Sequence, residues 1–269
     1  VQINAAASNL TTCGVESSAE FGISPEDTVH IMTILRDTLY TDRTLAVMRE
    51  YSSNAWDSHR QSGCPDRPIK VTLPTVSAPS LKIRDFGAGL SEFDVFRVYT
   101  QYGRSTKRGT NNAVGFLGIG SKSGFAYCDQ FTVTSWHGGF RRIFVASLDN
   151  SGIGVMQKLD EEPCGDETGI EVQIAVKPQH LAEFHTKARR LFRHFDPLPQ
   201  INIDLPARSR VRLANGYIVM DDHSDDWVAV MGCVPYRVDI SQLETDDNRT
   251  TLRVFHKVTG ALYFGIGEV

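Results

Sequence analysis

The sequence predicts an α/β fold: a sandwich of a mixed, mostly antiparallel sheet with helices on one face, followed by a smaller α/β second domain. Three observations carry this expectation. Apolar residues recur at helical spacing early in the chain, short β-rich runs dominate later, and a break at Asp196, Pro197 and Pro199 separates the last strand-rich stretch. With 269 residues, 41% apolar and 22% charged, the chain is long enough for one large or two small domains with a real core. The net charge of −4 argues against a chain-wide nucleic-acid coat. The apolar run at 228–234 is broken by Gly232 and far too short to span a membrane. The opening VQINAAASNL has neither the basic start nor the apolar stretch of a signal peptide, and it lacks Met, as expected of a trimmed chain or a fragment.

In chain order, residues 1–23 are Ala/Ser/Thr-rich and aperiodic, an expected loose arm. Ser24, Pro25, Glu26 and Asp27 then form a helix start, and Val29, Met32, Leu35 and Leu39 follow at helical spacing. Thr41 and Asp42 open a second helix through Val47, Met48, Tyr51 and Ala55, stopped by Gly63 and Pro65. Residues 69–73 and 81–85 read as short strands. Residues 86–124 are rich in glycine and small polar residues, a length that suits a functional lid or a disordered loop. Runs at 131–136, 141–148, 155–159 and 170–176, with a Gly138-Gly139 turn, read as an antiparallel meander. A helix with Leu181, Phe184, Ala188, Leu191 and Phe195 on one face precedes the proline break, which is the expected boundary.

Five scattered cysteines without a C-x-x-C pair fit neither a disulfide framework nor a structural zinc site, and they suit a reducing compartment. The eight histidines show no metal-protease spacing and read as structural or exposed. Lys187, Arg189, Arg190 and Arg193 give one helix a basic face, which fits solvent or, less simply, a nucleic acid or an acidic membrane surface.

Three constellations carry chemistry. In REYSSNAWDS (49–58), Glu50, Asn54 and Asp57 fall at i, i+4 and i+7, on one helix face. Such a stripe offers a base and oxygen ligands to a hard cation such as Mg²⁺; taken alone, it also fits a solvated face. In IRDFGAGLS, Asp85 ends a strand, and Gly87 and Gly89 permit close approach of a ligand. A carboxylate there can accept from an exocyclic amine such as that of adenine, although Asp and Gly are also ordinary turn residues. In GFLGIGSKSGF, Gly115, Gly118 and Gly120, with Lys122 and Ser123, suit a polyphosphate. A P-loop is excluded because Ser121 puts Lys122 one position out of register, and G-x-G-x-x-G fails at Ser123.

The order of these pieces resembles the ATP-binding fold shared by gyrase, heat-shock chaperones, histidine kinases and MutL, the GHKL superfamily with its Bergerat-type α/β sandwich. That resemblance implies ATP and Mg²⁺ as ligands. It makes Glu50 the catalytic base, Asn54 the Mg²⁺ ligand, and Asp57 the last member of the first box. It assigns Asp85 to the adenine amine, with Gly87 and Gly89 of the same box beside the nucleotide, and Gly115, Gly118, Gly120, Lys122 and Ser123 to the phosphates. YGRSTK (102–107) looks like the start of a lid. Members often end with G-T-x-V; here Thr168 precedes Gly169 and Ile170 stands in the usual Thr place, so either Thr168 substitutes in the adenine subsite from the neighbouring position or that contact is lost.

Within the superfamily the chain is most similar to rIIA-type proteins of tailed phages, through ILRDTLYTDRTLAVMREYSSNAWDSH, TGIEV, VMGCVPY and FGIGEV. The resemblance implies an N-terminal arm (1–23), an ATP-binding domain (24–197) and an incomplete, transducer-like second domain (198–269) in a protein of the host cytoplasm. The leading expectation is an Mg²⁺-dependent ATPase that closes a lid and dimerises on ATP. The alternative is a nucleotide-gated scaffold with little turnover. A histidine kinase would need a phospho-acceptor hairpin before its nucleotide domain, and only 49 residues precede Glu50. A serine kinase of the anti-sigma kind would leave 198–269 unexplained.

Overall fold

The computed structural model describes residues 33–34, 40–101, 120–205, 211–213, 216–220, 227–239, 242 and 259–266. Helix α1 spans Arg43–Gln61, where a helix was expected. Asp42 caps it by accepting from the Leu45 amide at 2.9 Å, which satisfies one of the amides that a helix start leaves orphaned. Gly63, at φ +73°, follows its end. Of the earlier helix expected through Val29 and Leu39, only Thr33 and Ile34 are described, and both are helical.

The strands of the first sheet are β1 (Lys70–Thr72), β2 (Ser80–Arg84), β3 (Gln130–His137), β4 (Phe140–Leu148), β5 (Gly154–Pro163), β6 (Gly169–Ala175) and β7 (Gln200–Ile201). Short helices α2 (Glu92–Asp94) and α3 (Gly124–Tyr127) lie between β2 and β3, and α4 (Leu181–Phe192) follows β6. The sheet order is β5-β4-β3-β6-β2-β1-β7, antiparallel throughout except for the β1–β7 pair. Gly138 and Gly139 turn β3 into β4 with φ of +63° and +81°, as a tight hairpin requires.

The expected meander holds only for β3, β4 and β5. Strand β6 does not continue it but crosses back between β3 and β2. The side chains explain this: β5 carries Lys158, Asp160, Glu161 and Glu162 and is exposed at nearly every position, so it suits an edge. Val172 and Ile174 of β6 need burial, which the centre of the sheet provides. The crossing sets the start of β6 beside the end of β2, where Asp85 lies.

The inner face of the sheet packs under α1 and α4. Leu81, Ile83, Val133, Phe144, Val172 and Ile174 share one cluster with Val47, Met48, Tyr51, Phe184, Leu191 and Phe192. The alternate residues of β2, Lys82 and Arg84, point to the opposite face, as a two-residue period dictates. Arg193 is buried, and Lys187 is tied to Asp42 and Glu183, so the basic face expected on α4 is reduced to the exposed Arg189 and Arg190.

Past the proline break, β7 still pairs with β1, and the Asn202 side chain bridges both backbone groups of Leu73 at 2.8 and 3.1 Å. The first sheet therefore runs a few residues beyond the expected boundary. A second sheet holds β8 (Val211–Leu213), β9 (Gly216–Met220), β10 (Val228–Met231), β11 (Val234–Arg237) and β12 (Gly260–Phe264), in the order β11-β10-β12-β9-β8. Among the described residues this later part contains no α-helix, where an α/β unit was expected. Cys233 and Val234 join the main cluster, and His194 meets the Tyr263 hydroxyl at 2.9 Å.

Candidate functional site

The last turns of α1 and the loop after β2 are built against each other. Asp85 is 5% exposed. Its Oδ1 accepts from the Ser58 hydroxyl at 3.1 Å and the Gly87 amide at 2.8 Å, while no described residue donates to Oδ2. Burial pushes the carboxyl above its usual range; those two donors and the neighbouring Arg84 pull the other way. A β-carbon on Gly87 would lie 2.1 Å from the Ser58 hydroxyl. Gly89, at φ +71°, leaves no room either, because its β-carbon would meet the Trp136 carbonyl at 2.1 Å. Gly169, at φ +112°, is equally tight: an added β-carbon would stand 2.2 Å from the Asp85 carbonyl oxygen.

Three further side chains grip this loop. His59 Nε2 accepts from the Phe86 amide at 2.7 Å, and Ser62 Oγ accepts from the Ala88 amide at 3.0 Å. Ser135 of β3, fully buried, meets both backbone groups of Leu90 at 2.8 and 2.7 Å. Arg84 stacks 3.3 Å over the Trp136 ring and donates to the Thr168 carbonyl at 3.1 Å, tying β2 to the residue before β6.

In the middle turns of α1, Glu50 and Asn54 meet the glycine-rich segment. A β-carbon on Gly120 would stand 2.6 Å from Glu50 Oε2 and 3.5 Å from Asn54 Nδ2. The Glu50 side chain is 20% exposed and paired with Arg49 at 3.0 Å. Tyr51 clamps the segment from the buried side: its hydroxyl donates to the Ser121 carbonyl at 3.1 Å and accepts from the Gly124 amide at 3.0 Å. Lys122 is 7% exposed and donates to the Gln101 carbonyl at 2.7 Å. Burial lowers its pKa to about 8. Ser58 and Glu50 are eight residues apart on one helix, roughly 12 Å along its axis. One helix thus carries a carboxylate-binding turn near its C-terminal end and, in its middle turns, a carboxylate–amide pair facing a glycine.

Residues 40–168 match the family described as histidine kinase-, DNA gyrase B-, and HSP90-like ATPase. This match supports the GHKL superfamily. It covers both ends of the site, from α1 through Asp85 and Gly120 to Thr168, and a domain of this type suggests ATP binding. No curated protein matches the chain.

The matched segment brings Glu50, Asn54, Asp85, Gly87, Gly89, Gly120, Lys122 and Ser123 onto or against α1 and the loops it faces. Asp57 is buried at 1% exposure, and Ser123 at 1%. Thr168 is exposed, and its contact with β2 runs through its backbone carbonyl. Gly115, Gly118 and the YGRSTK stretch lie outside the described residues. Sequence reasoning did not single out Tyr51, Ser62 or Ser135 as site residues, and it read His59 only as structural or exposed. Their signal was faint: Tyr51 and Ser58 sit inside the first box, but nothing in a sequence shows which backbone group a hydroxyl or imidazole will meet.

Two observations fit a magnesium–nucleotide complex. Gly120 packs directly against Glu50 and Asn54, so closely that a β-carbon would overlap Glu50 Oε2. The amide of Asn54 offers a hard oxygen, and Mg²⁺ takes few protein ligands beside phosphate and water. Among the described residues, no group of three or more His, Cys, Asp or Glu is set to hold a metal ion, and no helix is long and apolar enough to cross a membrane.

Proposed function

We propose that this chain binds ATP with Mg²⁺ between α1, the loop after β2 and the glycine-rich segment, and hydrolyses it. The single observation that carries this reading is the arrangement of Asp85. Its Oδ1 is occupied by Ser58 and Gly87, which leaves Oδ2 as an acceptor for an exocyclic amine. Adenine presents such a donor; guanine presents a carbonyl at the same place. Gly87 and Gly89 keep the loop close enough to admit a flat base. Bound Mg²⁺ would neutralise charge on the triphosphate, with Asn54 as its protein ligand. Lys122 and the amides near Gly120 would face the phosphates, and Glu50 would orient and deprotonate the attacking water.

The finer parts of the reading belong with it. Closure of a lid over residues 100–122, dimerisation on ATP, a transducer-like role for residues 198–269, and a phage rIIA-like protein in host cytoplasm follow from the resemblance of the sequence. The second reading, a nucleotide-gated scaffold with little turnover, draws support from the Arg49–Glu50 ion pair at 3.0 Å, which occupies one of the two carboxylate oxygens.

Phosphate release measured beside nucleotide affinity separates these readings. Glu50→Ala should keep ATP affinity and lose hydrolysis by about 10²–10⁴-fold. Asn54→Ala should lose the Mg²⁺-dependent part of binding as well. A parent protein that binds ATP yet shows no turnover under dimer-permitting conditions leaves the scaffold reading in place.

A further inference from the structure

We infer that His59 is the positioning residue that sets base selectivity: in its Nδ1–H tautomer it clamps the loop carrying Asp85 so that Oδ2 is aimed at an amine. This rests on the reading of Asp85 as the base-binding carboxylate. His59 is 2% exposed and bonded at both ring nitrogens. The Phe86 amide is a donor only, so Nε2 must accept at 2.7 Å. The Arg67 carbonyl is an acceptor only, so Nδ1 must carry the proton at 2.7 Å. The chemistry of the two partners fixes the tautomer. One imidazole therefore ties α1 to the segment before β1 and to the peptide directly after Asp85.

That peptide is the lever. Holding the Phe86 N–H sets the plane joining Asp85 to Phe86, while the Ser58 hydroxyl fixes the carboxylate from the same helical turn. The Phe86 ring is held as well, with the His59 ring 6.0 Å away and the Arg67 guanidinium 3.8 Å over its face. Ser62, one turn beyond Ser58, grips the next amide but one through Ala88 N–H. A loop held at three points from one helix keeps its free carboxylate oxygen in place without a ligand. If the Phe86 grip is lost, the carboxylate turns, and both the gain with adenine and the penalty with guanine shrink together.

Two isosteric variants separate positioning from filling. The Gln side chain places an acceptor oxygen where Nε2 stood, and the Asn side chain places a donor where Nδ1–H stood. Affinity of the full chain for ADP and GDP is measured by calorimetry beside the melting temperature. His59→Gln should keep the ADP/GDP preference to within about threefold, whereas His59→Asn should reduce it by about tenfold, through weaker ADP and tighter GDP binding. Equal ratios in both variants and the parent would overturn the inference, as would an equal loss of ADP and GDP affinity that follows melting temperature. Should both variants fail to fold, Ser62→Ala supplies the test from the exposed end of the clamp. Its ratio should fall about threefold, and an unchanged ratio overturns the inference. If the parent binds neither nucleotide, or Asp85→Asn binds ADP like the parent, the Asp85 reading fails instead.

Discussion

The two ends of the site are built from the same residue types in opposite ways. At the Asp85 end, glycines press against backbone: Gly89 against the Trp136 carbonyl and Gly169 against the Asp85 carbonyl. Side chains from α1 and β3 pin that loop at backbone amides and at the carboxylate, through Ser58, His59, Ser62 and Ser135. At the Glu50 end, Gly120 presses against the tip of a side chain, and the charged groups hold partners they can exchange: Arg49 for Glu50, the Gln101 carbonyl for Lys122. The contrast teaches a division of labour. On the proposed reading, base recognition would be fixed in advance, whereas phosphate chemistry would rely on groups that already hold other partners.

The sharpest way to break this comparison is to add the same methyl group at each end. Gly169→Ala puts a β-carbon 2.2 Å from a carbonyl oxygen at a φ of +112°, and neither the backbone nor its neighbour has room to move. It should cost about 3 kcal/mol or more, seen as a collapse of melting temperature. Gly120→Ala meets only the Glu50 carboxylate, at 2.6 Å, and that side chain can swing aside. The protein should stay folded, ATP affinity should change little, and turnover should fall by about 10²-fold, because a displaced base is nearly as harmful as a missing one. Equal melting temperatures for the two variants would remove the distinction.

Much of this was legible in the sequence, for reasons that can be named. Asp42 as a cap, the apolar stripe of α1 and the Gly138-Gly139 turn are local signals, and local signals are what a sequence carries most directly. The D-x-G-x-G string was equally readable, since positive φ and close approach both demand glycine. The position of β6 was not. Its Val and Ile pattern fixed a strand but left its neighbours open, and only the charged, exposed character of β5 shows in retrospect why the meander stops there. The grip of His59 on Phe86 was hidden for a similar reason: the two lie 27 residues apart, and a backbone amide has no identity in a sequence.

A smaller effect sharpens the Glu50 end. Burial holds the Lys122 pKa at about 8 in the free protein, so the side chain is charged below that pH and neutral above it. A triphosphate favours the charged form. ATP affinity should therefore fall as pH rises from 7 to 9, by up to about tenfold per unit above 8, and Lys122→Gln should flatten that slope. The same linkage runs through folding: the unfolded lysine keeps its proton to higher pH, so the charge of Lys122 is a cost to stability below about 8 that fades as pH rises. A slope that persists in Lys122→Gln would move the effect to another group.

The central claim is that Asp85 receives the base, and Asp85→Asn tests it most directly. The amide keeps the shape and can still accept from Ser58 and Gly87 through one oxygen, but it turns the free acceptor into a donor. Because burial raises the pKa of this carboxyl, its charge costs stability at neutral pH, and the neutral variant should melt no lower than the parent. Its affinity for ATP with Mg²⁺, by calorimetry, should nonetheless fall by about tenfold or more, since a buried donor facing the adenine amine goes unmatched. Undiminished affinity at an unchanged melting temperature would contradict the account and leave Asp85 a turn residue.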